Sequence, residues 1–344
     1  MKRITIRDVA REAGVSVTLV SFVLNAKTGP DGKLDCPVNP DTASRVLAVA
    51  RKLGYRKNAA AASLRSGRSH SIAVITTDIS NKFFAGISRY MEDKAYSLGY
   101  TVFFGSSDEK AARLERILDS LMSYNIDGVI LAPVPGCEGA VQRVVNAHIP
   151  VVLFDRDMAG IQGDVGRVLL DDRYAGFMAV DKLVKEGFRK IEMISYSLAV
   201  TSLTERESGY REAMDRYGLS ESTKVHYSTY STIDKDIPDI INDAKSRGTE
   251  AFFLPTYSLS AAVMSEMKHL NLSTPEDFAI IGFDDSNIYN LFSTTVAHFL
   301  QPLQELGEKS VEMIHGMIEG TGIERTIVLK PTLIEGGSAK KYSV

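Results

Sequence analysis

The chain has 344 residues, 44% hydrophobic and 24% charged, with a formal charge of −3 at pH 7; the length allows two or three domains of ordinary globular composition. No apolar run approaches a membrane span, and the start, MKRITIRDVAREAG, has no apolar signal core, so a cytoplasmic location is expected. Cys36 and Cys137 are too few and too far apart for a disulfide framework or a metal knuckle, and neither a metal nor a cofactor is expected.

The first segment, Ile4 to Asn25, reads ITIRDVAREAGVSVTLVSFVLN. Thr5 followed three residues later by Asp8 is a capping-box start, and Val9, Ala10 and Ala13 share one helical face before Gly14 ends the helix. Ser16 is the N-cap of a second helix whose Val20, Val23 and Leu24 pack on the first. Its other face carries Thr18, Ser21, Phe22 and Asn25, with Val17 at the exposed leading end. Short polar side chains of this kind can bond phosphates or base edges, and Val17 and Phe22 can touch a thymine methyl. A third helix is signalled by Asn39 as cap, Pro40 in the first position, and Val46, Leu47, Ala50 and Leu53 ahead of Gly54. Up to His70 there are 13 Lys and Arg against 5 Asp and Glu, a net +8, which leaves −11 on the rest of a chain whose total is −3. A basic head on an acidic body suggests that the head meets phosphate.

Residues 1–70 resemble the DNA-binding head of the LacI/GalR family of bacterial transcription regulators, through TIRDVAREAGVS, the VLN of the second helix, VNPDTASRVLAVARKLGY and SLRSGRS. The resemblance implies a second helix in the major groove with Val17, Thr18 and Phe22 reading bases, and Thr5, Ser16, Ser21 and Asn25 contacting phosphates or positioning the helix. Phe22 departs from the family's Arg or His, so no bidentate guanine readout is expected there. Between the second and third helices, Ala26 to Val38 has the Gly, Pro and Asp content of a solvated loop with one or two turns. The stretch NAAAASLRSG, Asn58 to Gly67, is too short to be a stable helix alone. In the family it forms a hinge helix on DNA, with Leu64 wedging into the minor groove and Arg65 available to the backbone.

From Ser71 the pattern becomes short β-rich runs alternating with amphipathic helices: SIAVITT, TVFFG, DGVILAP, PVVLFD, KIEMIS, EAFFLP and DFAIIGFD. The expected fold is a small all-α helix-turn-helix head followed by a two-lobed α/β module of doubly wound parallel sheets. The expected domains are the head at 1–57, a hinge at 58–70 and an effector and dimerisation module at 71–344. Within the module, one lobe takes 71–164 plus a crossing segment and the other takes 165–294 plus the C-terminal segment. Ligands bind beyond the carboxyl ends of strands in such sheets, where this chain carries aromatics beside Asp, Asn, Gln and Arg. Aromatic faces stack on a sugar's CH face while the polar groups meet its hydroxyls. The module resembles ribose-type periplasmic binding proteins. That resemblance implies that Phe83 and Phe84 stack on the ligand and that Asn81, Asp155, Arg156, Arg206, Asp284 and Gln301 hydrogen-bond it. Thr256-Tyr257 stands where the family has an Asn-Asp pair, and Tyr257 offers a further stacking surface.

No GxGxxG opening a helix, GxxxxGK[ST], GxSxG, HExxH or CxxC occurs, and six histidines are scattered without a partner motif, so no catalysis is expected. The expected function is a homodimeric transcription regulator, a repressor first of all. Its affinity for double-stranded operator DNA is expected to be controlled by a small effector, a sugar, and no membrane contact is expected. The alternatives are a non-enzymatic sugar-binding protein, or a regulator answering to a purine or a sugar phosphate.

Overall fold

Thr5, Ser16 and Asn39 each begin a helix by satisfying backbone groups that the first turn leaves open. The computed structural model describes residues 4–28, 34–56, 67–284, 287–291 and 293–341, and the expected hinge with its Leu64 and Arg65 lies outside them. The chain divides into two units, Met1–Ser69 and His70–Val344.

In the first unit, α1 is Ile6–Ala13, α2 is Val17–Asn25 and α3 is Pro40–Lys52. Thr5 N–H donates to Asp8 Oδ2 at 3.0 Å, Leu19 N–H to Ser16 Oγ at 3.2 Å, and Asp41 N–H to Asn39 Oδ1 at 2.9 Å. Gly14 closes α1 at φ 68°, a left-handed conformation that Gly adopts without the Cβ clash. Val9, Ala10, Ala13, Val20, Val23, Ala43, Val46 and Ala50 form one buried cluster among the three helices. The connection expected as a loop with turns instead begins and ends in a short antiparallel pair, β1 (Lys27–Thr28) with β2 (Leu34–Asp35).

Among the described residues, the second unit holds two six-stranded sheets. The first contains β3 (Ser71–Thr76), β4 (Thr101–Ser106), β5 (Gly128–Leu131), β6 (Val151–Phe154), β7 (Val165–Leu170) and β13 (Thr326–Leu329). Its order is β4-β3-β5-β6-β7-β13, parallel throughout. The second contains β8 (Ile191–Tyr196), β9 (Lys224–Ser228), β10 (Ala251–Phe253), β11 (Ala279–Phe283), β12 (Ala297–Leu300) and β14 (Thr332–Ile334). Its order is β9-β8-β10-β11-β12-β14, with only β14 antiparallel. The central strands β5, β6, β10 and β11 are buried along their whole length, as parallel strands covered on both faces must be.

Helices α4 (Lys82–Ser97), α5 (Ala111–Ser123), α6 (Glu138–Asn146) and α11 (Leu303–Glu319) cover the first sheet. The second is covered by α7 (Asp172–Lys185), α8 (Thr201–Arg216), α9 (Ile233–Arg247) and α10 (Tyr257–His269). The expected lobe boundary at 165 is corrected: β7 pairs with β6, so the first lobe runs to Leu170. The chain passes between the lobes at 170–172, returns to the first lobe at 300–303 to form α11 and β13, and crosses once more at 329–332. The sequence pattern identified neither β7 nor β13 as a strand. Each is placed by pairing with a partner distant in the chain, β13 with β7 across about 160 residues.

Candidate functional site

On α2, burial of Val20 and Val23 turns the opposite face outward. Val17 is 41% exposed and Phe22 52%, and Thr18 and Asn25 are exposed beside them. Ser21 is half-buried, and its Oγ accepts from Asn25 Nδ2 at 3.1 Å, which holds the end of the helix face in one arrangement. Ser16 and Thr5 are exposed at the two helix starts, where helix N-termini and hydroxyls suit phosphate. Ser16 Oγ uses its lone pair on Leu19 and keeps its own proton to donate.

In the second unit, all nine residues singled out for a ligand line one cleft of about 50 Å3: Asn81, Phe83, Phe84, Asp155, Arg156, Arg206, Tyr257, Asp284 and Gln301. It lies at the carboxyl ends of both sheets, where β6 runs into Asp155 and β11 into Asp284. These two aspartates occupy matching positions in the two lobes, each one residue past its strand and each left-handed, at φ 64° and 70°. Asp tolerates this region better than most residues, and such backbone aims a side chain that a regular strand would send aside.

Asn81 caps α4 by accepting from Phe83 N–H at 2.9 Å, at the start of the turn that carries Phe83 and Phe84 into the cleft wall. The rings of Phe83 and Phe84 meet edge to face, 4.9 Å apart, and Phe84 packs in the same way on Phe154. Opposite them, Asp284 accepts from Tyr257 N–H at 3.1 Å and from the Gln301 amide. The remaining oxygen of that amide, Gln301 Oε1, is buried and has no hydrogen-bond partner among the described residues. Such an atom is an acceptor awaiting a donor.

Both arginines are tied down. Arg156 donates to the two carboxylate oxygens of Glu109 at 2.8 and 2.9 Å, and its Nε faces Asp155 at 3.4 Å. Arg206 donates to Asp172 at 2.7 Å and to the Pro255 carbonyl at 2.6 Å, with its guanidinium 3.6 Å from the centre of the Phe283 ring. Burial pushes the Asp172 carboxyl up to about 7 against the opposing pull of Arg206, and burial raises Asp155 as well.

The cleft contains residues that the sequence reading did not single out as ligand contacts: Ser202, Leu203, Tyr230, Thr256 and Ser258. Tyr230 stacks on Tyr196 at 4.2 Å, and Tyr196 in turn donates to Ser258 Oγ at 2.8 Å. Tyr230 follows β9, a strand absent from the β-rich runs, so its place after a strand end was not visible. Thr256 caps α10. An outer chamber of about 310 Å3 continues from the cleft past Phe83, Tyr257, Asp284 and Gln301 to Tyr90 and Leu303. A larger groove of about 620 Å3, around Pro150 and Asp164, lies at the amino ends of β6 and β7, the wrong end of the sheet for a ligand site.

Residues 5–58 match the family described as bacterial regulatory proteins, lacI family, and residues 180–339 match the periplasmic binding protein-like domain. The chain thus joins a lacI-family head to a periplasmic binding protein-like domain. It is 28% identical over 337 residues to catabolite control protein A of Priestia megaterium, covering 96% of this chain and 98% of that protein. It is 27% identical over 338 residues to the ribose operon repressor of Escherichia coli K12, covering 97% and 99%. Among solved structures, a periplasmic binding protein/LacI transcriptional regulator from Alkaliphilus metalliredigens, complexed with D-xylulofuranose, superposes with a TM-score of 0.67 at 25% identity, over 78% of this chain and 98% of that one. The named relatives are transcription regulators, and this chain shares their architecture of a lacI-family head and a periplasmic binding protein-like body.

Proposed function

We propose that this chain is a homodimeric repressor of the LacI family acting in the cytoplasm, and that a sugar bound in the cleft controls its affinity for operator DNA. One observation carries the ligand reading. Aromatic faces (Phe83, Phe84, Tyr230), carboxylate acceptors (Asp155, Asp284) and the unpartnered Gln301 Oε1 converge on a single cleft. That is the chemistry of a ring with CH faces and hydroxyl donors. The ribose operon repressor and the xylulofuranose complex are relatives whose names carry the same ligand class.

The inner cleft of about 50 Å3 continues into the outer chamber of about 310 Å3, and the chamber alone is at the lower end of the about 300–1,000 Å3 of ordinary ligand pockets. Gln301 sits on the 300–303 crossover and Asp172, the partner of Arg206, ends the 170–172 crossover, which places cleft chemistry on the segments that join the lobes. A ligand that favours one lobe separation over the other shifts operator affinity, with reciprocal coupling of typically about 1–3 kcal/mol. No catalysis is assigned, because the cleft's arginines are engaged in ion pairs and its lining contains no His or Cys.

The test is a thermal-shift screen against mono- and disaccharides, followed by operator titration with and without the hit. A sugar that raises the melting temperature and changes operator affinity supports the reading. Stabilisation by purines alone removes it.

A further inference from the structure

We propose that the start of α8, together with Arg156 Nε, is an anion subsite of the effector cleft, so that the sugar recognised there carries an acidic oxygen group, a carboxylate or a phosphate. The proposal rests on the sugar-effector reading above and narrows it to acidic sugars.

A helix leaves its first backbone N–H groups without intrahelical partners, and a cap normally takes them up. At α8 the cap position is Val200, whose side chain accepts nothing. Among the described residues the N–H groups of Thr201, Ser202 and Leu203 have no acceptor, and the Ser202 hydroxyl makes no hydrogen bond. Ser202 and Leu203 are nevertheless buried, each 6% exposed, and both line the cleft. Two other helices that begin in the cleft wall are closed by their caps. Asn81 accepts from Phe83 N–H at the start of α4, and Thr256 from Leu259 N–H at the start of α10. At the open start of α8 the aligned peptide dipoles add partial positive charge, which favours an anion.

Arg156 supplies an independent donor. Its terminal nitrogens are bound to Glu109. Its Nε, on a side chain 7% exposed, has no hydrogen-bond partner among the described residues and lies only within ion-pair range of Asp155, at 3.4 Å. The residue after Arg156 is tied to the first residue of α8: Asp157 N–H donates to Thr201 Oγ1 at 2.7 Å, and Thr201 Oγ1 donates to the Asp157 carbonyl at 3.3 Å. Arg156 and the helix start therefore face the same part of the cleft.

Buried donors left in this state call for an acceptor, and an anionic oxygen is the strongest one. The neighbouring carboxylates leave the place open. Burial favours the protonated form of Asp155, and Asp284 has both oxygens engaged, by Tyr257 N–H and by the Gln301 amide. The inner cleft of about 50 Å3 has room for a few water molecules, and so for one compact group. The ring that carries the group continues past Phe83 and Gln301 into the outer chamber.

The experiment uses the full chain. Thermal shift and calorimetric titration compare matched sets for the wild type and Ser202→Ala: glucose with glucuronate and glucose 6-phosphate, galactose with galacturonate and galactose 6-phosphate, ribose with ribose 5-phosphate, and cellobiose with cellobionate. In the set that binds, an acidic member should bind about tenfold more tightly than the neutral one, and the tighter acid identifies carboxylate or phosphate. Ser202→Ala removes a hydroxyl that supports no other contact and should cut this preference about tenfold. A neutral sugar that binds as tightly as its acids overturns the proposal and leaves the effector reading standing. An acid preference that survives unchanged in a folded Ser202→Ala protein takes the subsite away from α8 and overturns the proposal too. If no sugar in either form binds, the effector reading fails and this proposal falls with it.

Discussion

Arg206 of α8 and Asp172 of α7 form a buried ion pair, 2.7 Å between Nε and Oδ1, whose side chains are 5% and 6% exposed. The pair is built by a close helix crossing. A Cβ added at Gly176 would stand 1.9 Å from the Arg206 carbonyl oxygen, and one at Gly209 would stand 2.0 Å from that of Arg173. Two glycines therefore let the backbones approach until Asp172 and Arg206 face one another.

Removing one partner of this pair should be worse than removing both. Arg206→Met leaves a buried carboxylate behind and should cost about 3–5 kcal/mol in chemical denaturation of the body. The double variant Asp172→Leu/Arg206→Met should recover part of that loss. Equal losses in the single and double variants would show that the pair is uncoupled.

The same carboxyl gives a pH signature. Burial raises Asp172 from 3.8 to about 7 in the folded chain. The folded state then binds the proton more tightly than the unfolded state. The resulting stability is fully present below pH about 4 and is lost as pH rises through about 7. The stability of the wild type relative to Asp172→Asn should accordingly fall from pH 4 to about pH 7 and level off above. A flat difference across that range would assign the raised affinity to some other group.

The glycine crossing makes its own prediction. Gly209→Ala forces a Cβ against backbone rather than against a flexible side chain, so the helices must separate. The loss should reach or exceed the about 1–3 kcal/mol typical of overpacking, seen as a lower melting temperature of the body. Gly139→Ala, where an added Cβ meets nothing within 4 Å, is the control and should be nearly neutral.

In the cleft, Asp284→Ala strips Gln301 and Tyr257 N–H of their acceptor. The ligand response should disappear while operator binding in the absence of ligand stays within about twofold, since the head is a separate unit. A surviving response would move the ligand elsewhere.

On the head, Phe22 is exposed, so Phe22→Arg should alter stability by no more than about 0.5 kcal/mol. It should change base preference at one operator position and steepen the salt dependence of binding. An unaltered preference profile would take Phe22 off the base-reading face.

Much of the head is legible because its determinants are local. Thr5, Ser16, Asn39 and Gly14 act within one helical turn, and a 3.6-residue period separates Val20 and Val23 from Phe22 and Asn25. The β-rich runs and the residues following them could be marked in the same way, since strand ends carry turns. Local pattern reaches no further than the order of such elements.

The partners those elements choose were decided by tertiary structure. Residues 165–170 read as the start of a second lobe until pairing with β6 and β13 made them part of the first sheet. The resemblance gave Arg156 and Arg206 bonds to a ligand, and only the fold brings Glu109, 47 residues away, and Asp172, 34 residues away, against them. Which residue types stand near a strand end follows from the chain itself. Which charges remain available to a ligand depends on contacts between segments far apart in sequence, and those exist only once the sheets have closed.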